Sequence, residues 1–279
     1  MTGDRPVSEH RPLFQHELID RVKELCARDE GLDAALMYGS FTKGEADEHS
    51  DIEFWLFHTP AARASLDPHA WCASIAPVSA VLRNEFGAHV AVFRRLVRGE
   101  FHFATTDDLP QVASWPERGA PVARMLLLDR TGRLRPLLEA LPEGGAAPEG
   151  AAAARQAQLC GERLANWLIL THHLLARGEL LRAWDALGSA IRHLTWLARL
   201  AEDSTGHWLT PSRAAETELT PRTLAGLTAA TSGARAPELR AALTAALTEG
   251  REHWERLAAA HDEVEVPHRL LEEIAEALA

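Results

Sequence analysis

In residues 17–27, ELIDRVKELCA, the apolar positions Leu18, Ile19, Val22, Leu25 and Cys26 recur at helical spacing and predict an opening amphipathic helix. A polar break at residues 28–31 ends it. Residues 33–38 then read as a short buried strand that stops at Gly39. Residues 52–57 read as a second strand, rich in β-branched and aromatic side chains, and residues 89–96, HVAVFRRL, as a third. Residues 68–86 lie between the last two with mixed helical periodicity, interrupted by Pro77.

The pattern changes near Pro142, where PEGGAAPEGAAAA has linker composition. Beyond it the periodicity is helical, with helices expected over residues 151–176, 180–202, 237–261 and 267–278. Gly178 follows the first of these, Ser204 and Gly206 break the second, and Pro237 and Pro267 open the later two. Apolar stripes through Trp167, Leu170 and Leu174, and through Leu187, Ile191, Leu194 and Leu197, suit an antiparallel bundle. The fold class is therefore α+β: a mixed sheet with helices over residues 1–145, then an all-α bundle over residues 146–279.

Composition narrows the function. A net charge of −11 over 279 residues argues against a general grip on nucleic acid, which needs clustered Lys and Arg. A small-molecule substrate is favoured. The three cysteines are widely spaced and lack any C-x-x-C pairing, so neither a disulfide framework nor a zinc knuckle is indicated. No segment reaches the roughly 18 apolar residues of a membrane span, and the N-terminal MTGDRPVSEHRPLF has no apolar leader core. A cytoplasmic protein is expected.

The chemistry concentrates in residues 36–57, LMYGSFTKGEADEHSDIEFWLF. Asp51 and Glu53 flank Ile52 at the start of a strand, so both project to one side of it. Two hard carboxylates side by side suit Mg²⁺, which takes oxygen ligands and leaves positions for phosphate oxygens. Gly39 and Ser40 turn the chain directly after a strand, where backbone amides and a hydroxyl can hold a triphosphate, and Lys43 can add positive charge. Taken singly, a Gly-Ser pair or a D-x-E is more often an ordinary turn or loop carboxylate. Their order around strands is what gives them weight.

That order resembles the nucleotidyltransferase fold shared by antibiotic nucleotidyltransferases and β-type polymerases, and MYGSFTKGE, SDIEFWLF, RNEFGAHVAVF, RGEFHF and ARGE together look like lincosamide nucleotidyltransferases of the larger two-domain type. The resemblance implies a catalytic domain over residues 1–145 and a C-terminal bundle that closes the substrate cleft. It also implies Mg²⁺-dependent transfer of a nucleoside monophosphate, taken as AMP, from a nucleoside triphosphate to a lincosamide hydroxyl, releasing pyrophosphate. A third carboxylate belongs to the fold, and Glu100, at the end of the third expected strand, is its counterpart, either as general base or as ligand of a second metal ion. The family's habit implies a homodimer.

Other residues carry weaker expectations. His102, two positions beyond Glu100, either orients substrate or base or is a half-buried histidine of the core. Asn166 and Trp167, on the first bundle helix, are candidate substrate contacts, though Trp167 reads more readily as core. Arg98 reads as a solvated strand end, and Trp55 as replaceable by another hydrophobe. Competing functions are aminoglycoside nucleotidyl transfer and a protein- or RNA-modifying role of toxin–antitoxin type, for which Arg256 and His261 have the spacing of a helical ribonuclease. A decayed, non-enzymatic scaffold is disfavoured by the intact Asp51, Glu53 and Glu100.

Overall fold

The computed structural model describes residues 13–144 and 147–279. Two compact units divide the chain, Met1–Gly144 and Gly145–Ala279. The domain boundary expected between residues 145 and 146, and most of the N-terminal segment read for a leader, lie outside the described residues.

In the first unit, α1 (Phe14–Arg28) leads into β1 (Leu32–Tyr38), the short α2 (Ser40–Lys43), β2 (Ile52–His58), α3 (Pro60–Ser65) and α4 (Pro68–Ile75). The chain continues through β3 (Ala80–Arg83), β4 (His89–Val92), β5 (Arg98–Thr105), α5 (Val122–Met125), β6 (Leu126–Asp129) and α6 (Leu134–Ala140). Local chemistry sets several starts. Thr59 and Asp67 accept hydrogen bonds from the backbone amides of Ala62 and His69, and each is followed by a proline at the first helical position.

The six strands form one mixed sheet in the order β3-β4-β5-β2-β1-β6, in which only β2 and β5 pair in parallel. Both faces are covered. Ala35, Met37, Phe54, Leu56 and Phe101 meet Leu18, Ile19 and Val22 of α1 and Trp71, Cys72 and Ile75 of α4. On the opposite face, Ala34, Leu36 and Phe57 pack with Leu109, Val112, Met125, Leu134 and Leu138. Burial on two sides explains why β1 reads as an apolar run rather than an alternating one.

The sheet corrects one expected element. Residues 89–96 are not a single strand: β4 ends at Val92, and the chain reverses through Arg94–Leu96, with Arg95 and Leu96 at φ 61° and 60°. The Phe93 amide donates to the Val97 carbonyl at 2.8 Å across this reversal. Glu100 consequently lies inside β5, a separate strand antiparallel to β4, and not at the end of its predecessor. Besides β5, two further strands, β3 and β6, were not expected. Each has only four residues, too few for period-two alternation to stand out.

The second unit is helical: α7 (Gly150–Ala176), α8 (Leu180–Ala201), α9 (Ala215–Glu218), α10 (Pro221–Ala229), α11 (Ala236–Ala260) and α12 (His268–Leu278). The helices α7, α8, α11 and α12 share one core of Ala and Leu side chains with Trp254 at its heart. The Trp254 ring lies directly over Gly161, where an added Cβ would meet it at 2.4 Å, so glycine lets α7 and α11 approach. Among the described residues no helix is long and apolar enough to cross a membrane.

A buried cation organises the long connection between α8 and α9. Arg199, 0% exposed, donates to the carbonyls of Ser204, Pro211 and Arg213 and pairs with Glu218 at 2.7 Å. Every guanidinium nitrogen is engaged, which compensates the desolvation of the charge. Replacing Arg199 with Met is expected to destabilise the protein by about 3 kcal/mol, near the low end for breaking a buried pair because Glu218 remains 32% exposed. Urea denaturation followed by circular dichroism checks this; an unchanged midpoint would contradict the structural role given to Arg199.

Candidate active site

The site is built where β1, β2 and β5 run side by side. In the parallel pairing of β2 with β5, Glu53 stands opposite Glu100 and Trp55 opposite His102. In the antiparallel pairing of β1 with β2, Tyr38 stands opposite Glu53. Alternation then puts Tyr38, Glu53, Trp55, Glu100 and His102 on one face of the sheet. Asp51 immediately precedes β2 and joins the group from its edge.

Gly39 has φ 79° and ψ −160°, a combination essentially reserved for glycine. Its missing side chain is also a space requirement, because an added Cβ would sit 1.6 Å from Glu53 Oε2. The Glu53 carboxylate thus folds onto the turn that leads into α2. Within that turn the Thr42 hydroxyl and the Thr42 and Lys43 amides donate to the Gly39 carbonyl, at 2.7, 3.2 and 3.3 Å. Ser40 is buried, and the stem of Lys43 lies across Gly119. Lys43 makes no ion pair among the described residues, and Arg124 approaches the far end of the turn at Gly44.

Glu100 meets three neighbouring side chains. Its Oε1 accepts from the Tyr38 hydroxyl at 3.3 Å and contacts His102 Nε2 at 3.2 Å, while Arg98 reaches its Oε2 at 3.9 Å. Arg98, the exposed first residue of β5, also pairs with Asp51 at 2.8 Å, so this strand end is in addition a bridge between two carboxylates. Trp55 lies flat against His102, with ring centroids 4.1 Å apart and planes within 1°, and Trp115 stands 5.8 Å from Trp55.

The electrostatics follow from this crowding. Burial pushes the Asp51 carboxyl above its ordinary range, the Arg98 guanidinium pulls it back, and the Glu100 charge adds a further upward push. Burial and the charges of Glu100, Glu53 and Asp51 drive the Tyr38 phenol far upward, keeping it a protonated donor. Burial lowers the His102 imidazolium, opposed by its hydrogen bond and attraction to Glu100. A neutral His102 donates to Glu100 only in the tautomer protonated at Nε2.

Of the residues singled out from sequence, Gly39, Ser40, Lys43, Asp51, Glu53, Glu100 and His102 gather in the first unit. Asn166 and Trp167 belong to α7 of the second unit, where Asn166 is exposed and Trp167 packs partly buried against the bundle core. Sequence reasoning gave no site role to Tyr38, Trp55 or Trp115 and set Arg98 aside as a strand end. Tyr38 is the chain's only tyrosine and directly precedes Gly39, a signal that could have been used. The others require the β2–β5 register to be known. Among the described residues, no set of three or more His, Cys, Asp or Glu side chains is arranged to hold a metal ion. The oxygen donors present are Asp51, partnered by Arg98, and Glu53, folded onto Gly39.

Residues 155–277 match the family model described as the C-terminal domain of lincosamide nucleotidyltransferase-like proteins. No curated protein matches the sequence. Among solved structures, an aminoglycoside 6-adenyltransferase from Bacillus subtilis is similar at 12% identity and a TM-score of 0.43, covering 94% of this chain and 95% of its own. A nucleotidyltransferase-like protein from Exiguobacterium sibiricum 255-15 is similar at 13% identity and a TM-score of 0.36, covering 94% of this chain and 88% of its own.

The contact between Gly39 and Glu53 makes an experiment. Gly39→Ala is expected to cost about 1–3 kcal/mol from backbone strain alone, and more from displacing Glu53. Thermal unfolding reads the cost; a melting temperature equal to that of the natural protein would show that the turn is not as constrained as described.

Proposed function

We propose that this chain is an antibiotic nucleotidyltransferase that transfers AMP from a nucleoside triphosphate to a hydroxyl of a lincosamide, a reading supported by the match of residues 155–277 to the C-terminal domain of lincosamide nucleotidyltransferase-like proteins. The observation that carries the proposal is the register of β2 against β5, which sets Glu53 beside Glu100 with Asp51 at the head of the strand. The C-terminal domain match supports the lincosamide reading.

Asp51 and Glu53 are the proposed holders of Mg²⁺. Two hard carboxylates fit this ion, which usually takes one or two from the protein and completes its shell with phosphate oxygens and water, so a closed set of three side chains is not required. When bound, the ion supplies charge that neutralises the triphosphate and the transferred phosphoryl group. Arg98 meanwhile lies between Asp51 and Glu100 and offsets their charge at close quarters.

The remaining roles fall to this chain's own groups. The amides of the Gly39–Ser40 turn hold the triphosphate, with Lys43 adding charge on the same side. Glu100 takes the proton of the acceptor hydroxyl. The hydroxyl oxygen bonds to the α-phosphorus, the bond from that phosphorus to the bridging oxygen breaks, and pyrophosphate leaves with the electron pair. Oε1 of Glu100 is engaged by Tyr38 and His102, and the base is preferred to the role of second-metal ligand on the resemblance to the family.

Incubating the protein with Mg²⁺, each nucleoside triphosphate, and lincomycin, clindamycin or a small aminoglycoside panel, then weighing the drugs by mass spectrometry, tests the proposal. A lincosamide gaining one nucleoside monophosphate is the expected result. Asp51→Asn is expected to abolish transfer with the fold retained, and Glu100→Gln to lose the chemical step while keeping triphosphate binding. Gain of mass only by aminoglycosides would replace the substrate class, and turnover by Asp51→Asn would overturn the metal assignment.

A further inference from the structure

Trp55 lies where any hydrophobe would fill the sheet face, yet its ring does something a Leu could not. It lies flat on His102 at 4.1 Å, and His102 in turn contacts Glu100 Oε1. The three residues follow from one geometry: Trp55 and His102 are register partners on β2 and β5, and Glu100 precedes His102 by two positions on the same face. The His102 side chain is only 14% exposed, so its plane is set by its neighbours and not by water. Tyr38, whose ring centroid is 6.2 Å from His102, converges on the same Oε1 from β1.

Resting on the reading of Glu100 as the base, we propose that Trp55 is a positioning residue: its stack fixes the His102 ring so that Nε2–H, with the Tyr38 hydroxyl, pins Glu100 Oε1 and leaves Oε2 to receive the acceptor proton. The two oxygens of one carboxylate thereby have different duties. Oε1 is saturated by two donors. Among the described residues Oε2 has only the longer contact with Arg98 at 3.9 Å, and it is the atom with capacity to accept. Without the stack the imidazole could rotate or exchange its tautomer, and the carboxylate would swing with it. Misplacing a reacting group by roughly 1 Å can cost about 100-fold in rate, so an aromatic plane two steps from the chemistry has leverage on kcat.

Nitrogen NMR of histidine-labelled protein tests this without relying on turnover. In the natural protein and in Trp55→Phe, which keeps a ring under the imidazole, His102 is expected to show a single neutral tautomer protonated at Nε2. In Trp55→Leu that signature is expected to disappear, with kcat for drug modification falling about 100-fold and KM for the triphosphate within about twofold. In a His102→Ala background, Trp55→Leu is expected to add nothing further, because the ring it acts through is gone. Retention of the fixed tautomer in Trp55→Leu would overturn the proposal. So would a natural protein whose His102 carries its proton on Nδ1 or exchanges between tautomers, a result available even if Trp55→Leu does not fold. Absence of transfer by the natural protein would remove the functional reading, and the tautomer would still decide the stack.

Discussion

The parallel pairing of β2 with β5 is the constraint on which the candidate site depends. Strand side chains alternate, so one register decides every cross-strand neighbour at once: Glu53 with Glu100, Trp55 with His102, Phe54 with Phe101. The last pair, stacked at 5.4 Å, is buried on the opposite face. The apolar side of the sheet thus specifies the polar side. Hydrophobic burial of Phe54 and Phe101 holds in register two carboxylates whose mutual repulsion would otherwise oppose the pairing.

Charge is then balanced locally. Arg98 is the main compensating cation, and it lies on β5 itself, two residues from the Glu100 it partners. Tyr38 contributes a donor that stays protonated because the same carboxylates and its own burial make a phenolate costly. The second unit solves a comparable problem differently. There one fully buried guanidinium spends its donors on backbone carbonyls, turning an irregular connection into a defined one.

How much of this could be read from the sequence varied with length scale. The long helices were legible because Leu and Ala at 3.6-residue spacing over twenty or so positions leave few alternatives. The strands carrying Glu53 and Tyr38 were legible too, from apolar runs bounded by Gly39 and polar loops. The reversal at Arg94–Leu96 was not, since no glycine or proline marks it and left-handed backbone at Arg95 and Leu96 has no sequence signature. The same gap hid the significance of Arg98 and Trp55. Their partners lie at Asp51 and His102, and only the fold brings those positions together. Asn166 and Trp167 came from family resemblance, and nothing in their own packing marks them as more than a helix surface and part of a core.

The tight reversal between β4 and β5 also bears on how this scaffold can vary. It has just enough residues to return the chain with Val97 bonded back to Phe93. Adding or removing one residue there would shift β5 by one position and turn Glu100 and His102 toward the hydrophobic layer, delivering Phe101 to the site instead. The hairpin is therefore closed to changes in length. New specificities on this sheet must come from substitutions within it or from longer loops elsewhere, such as the stretch between the end of β5 and β6.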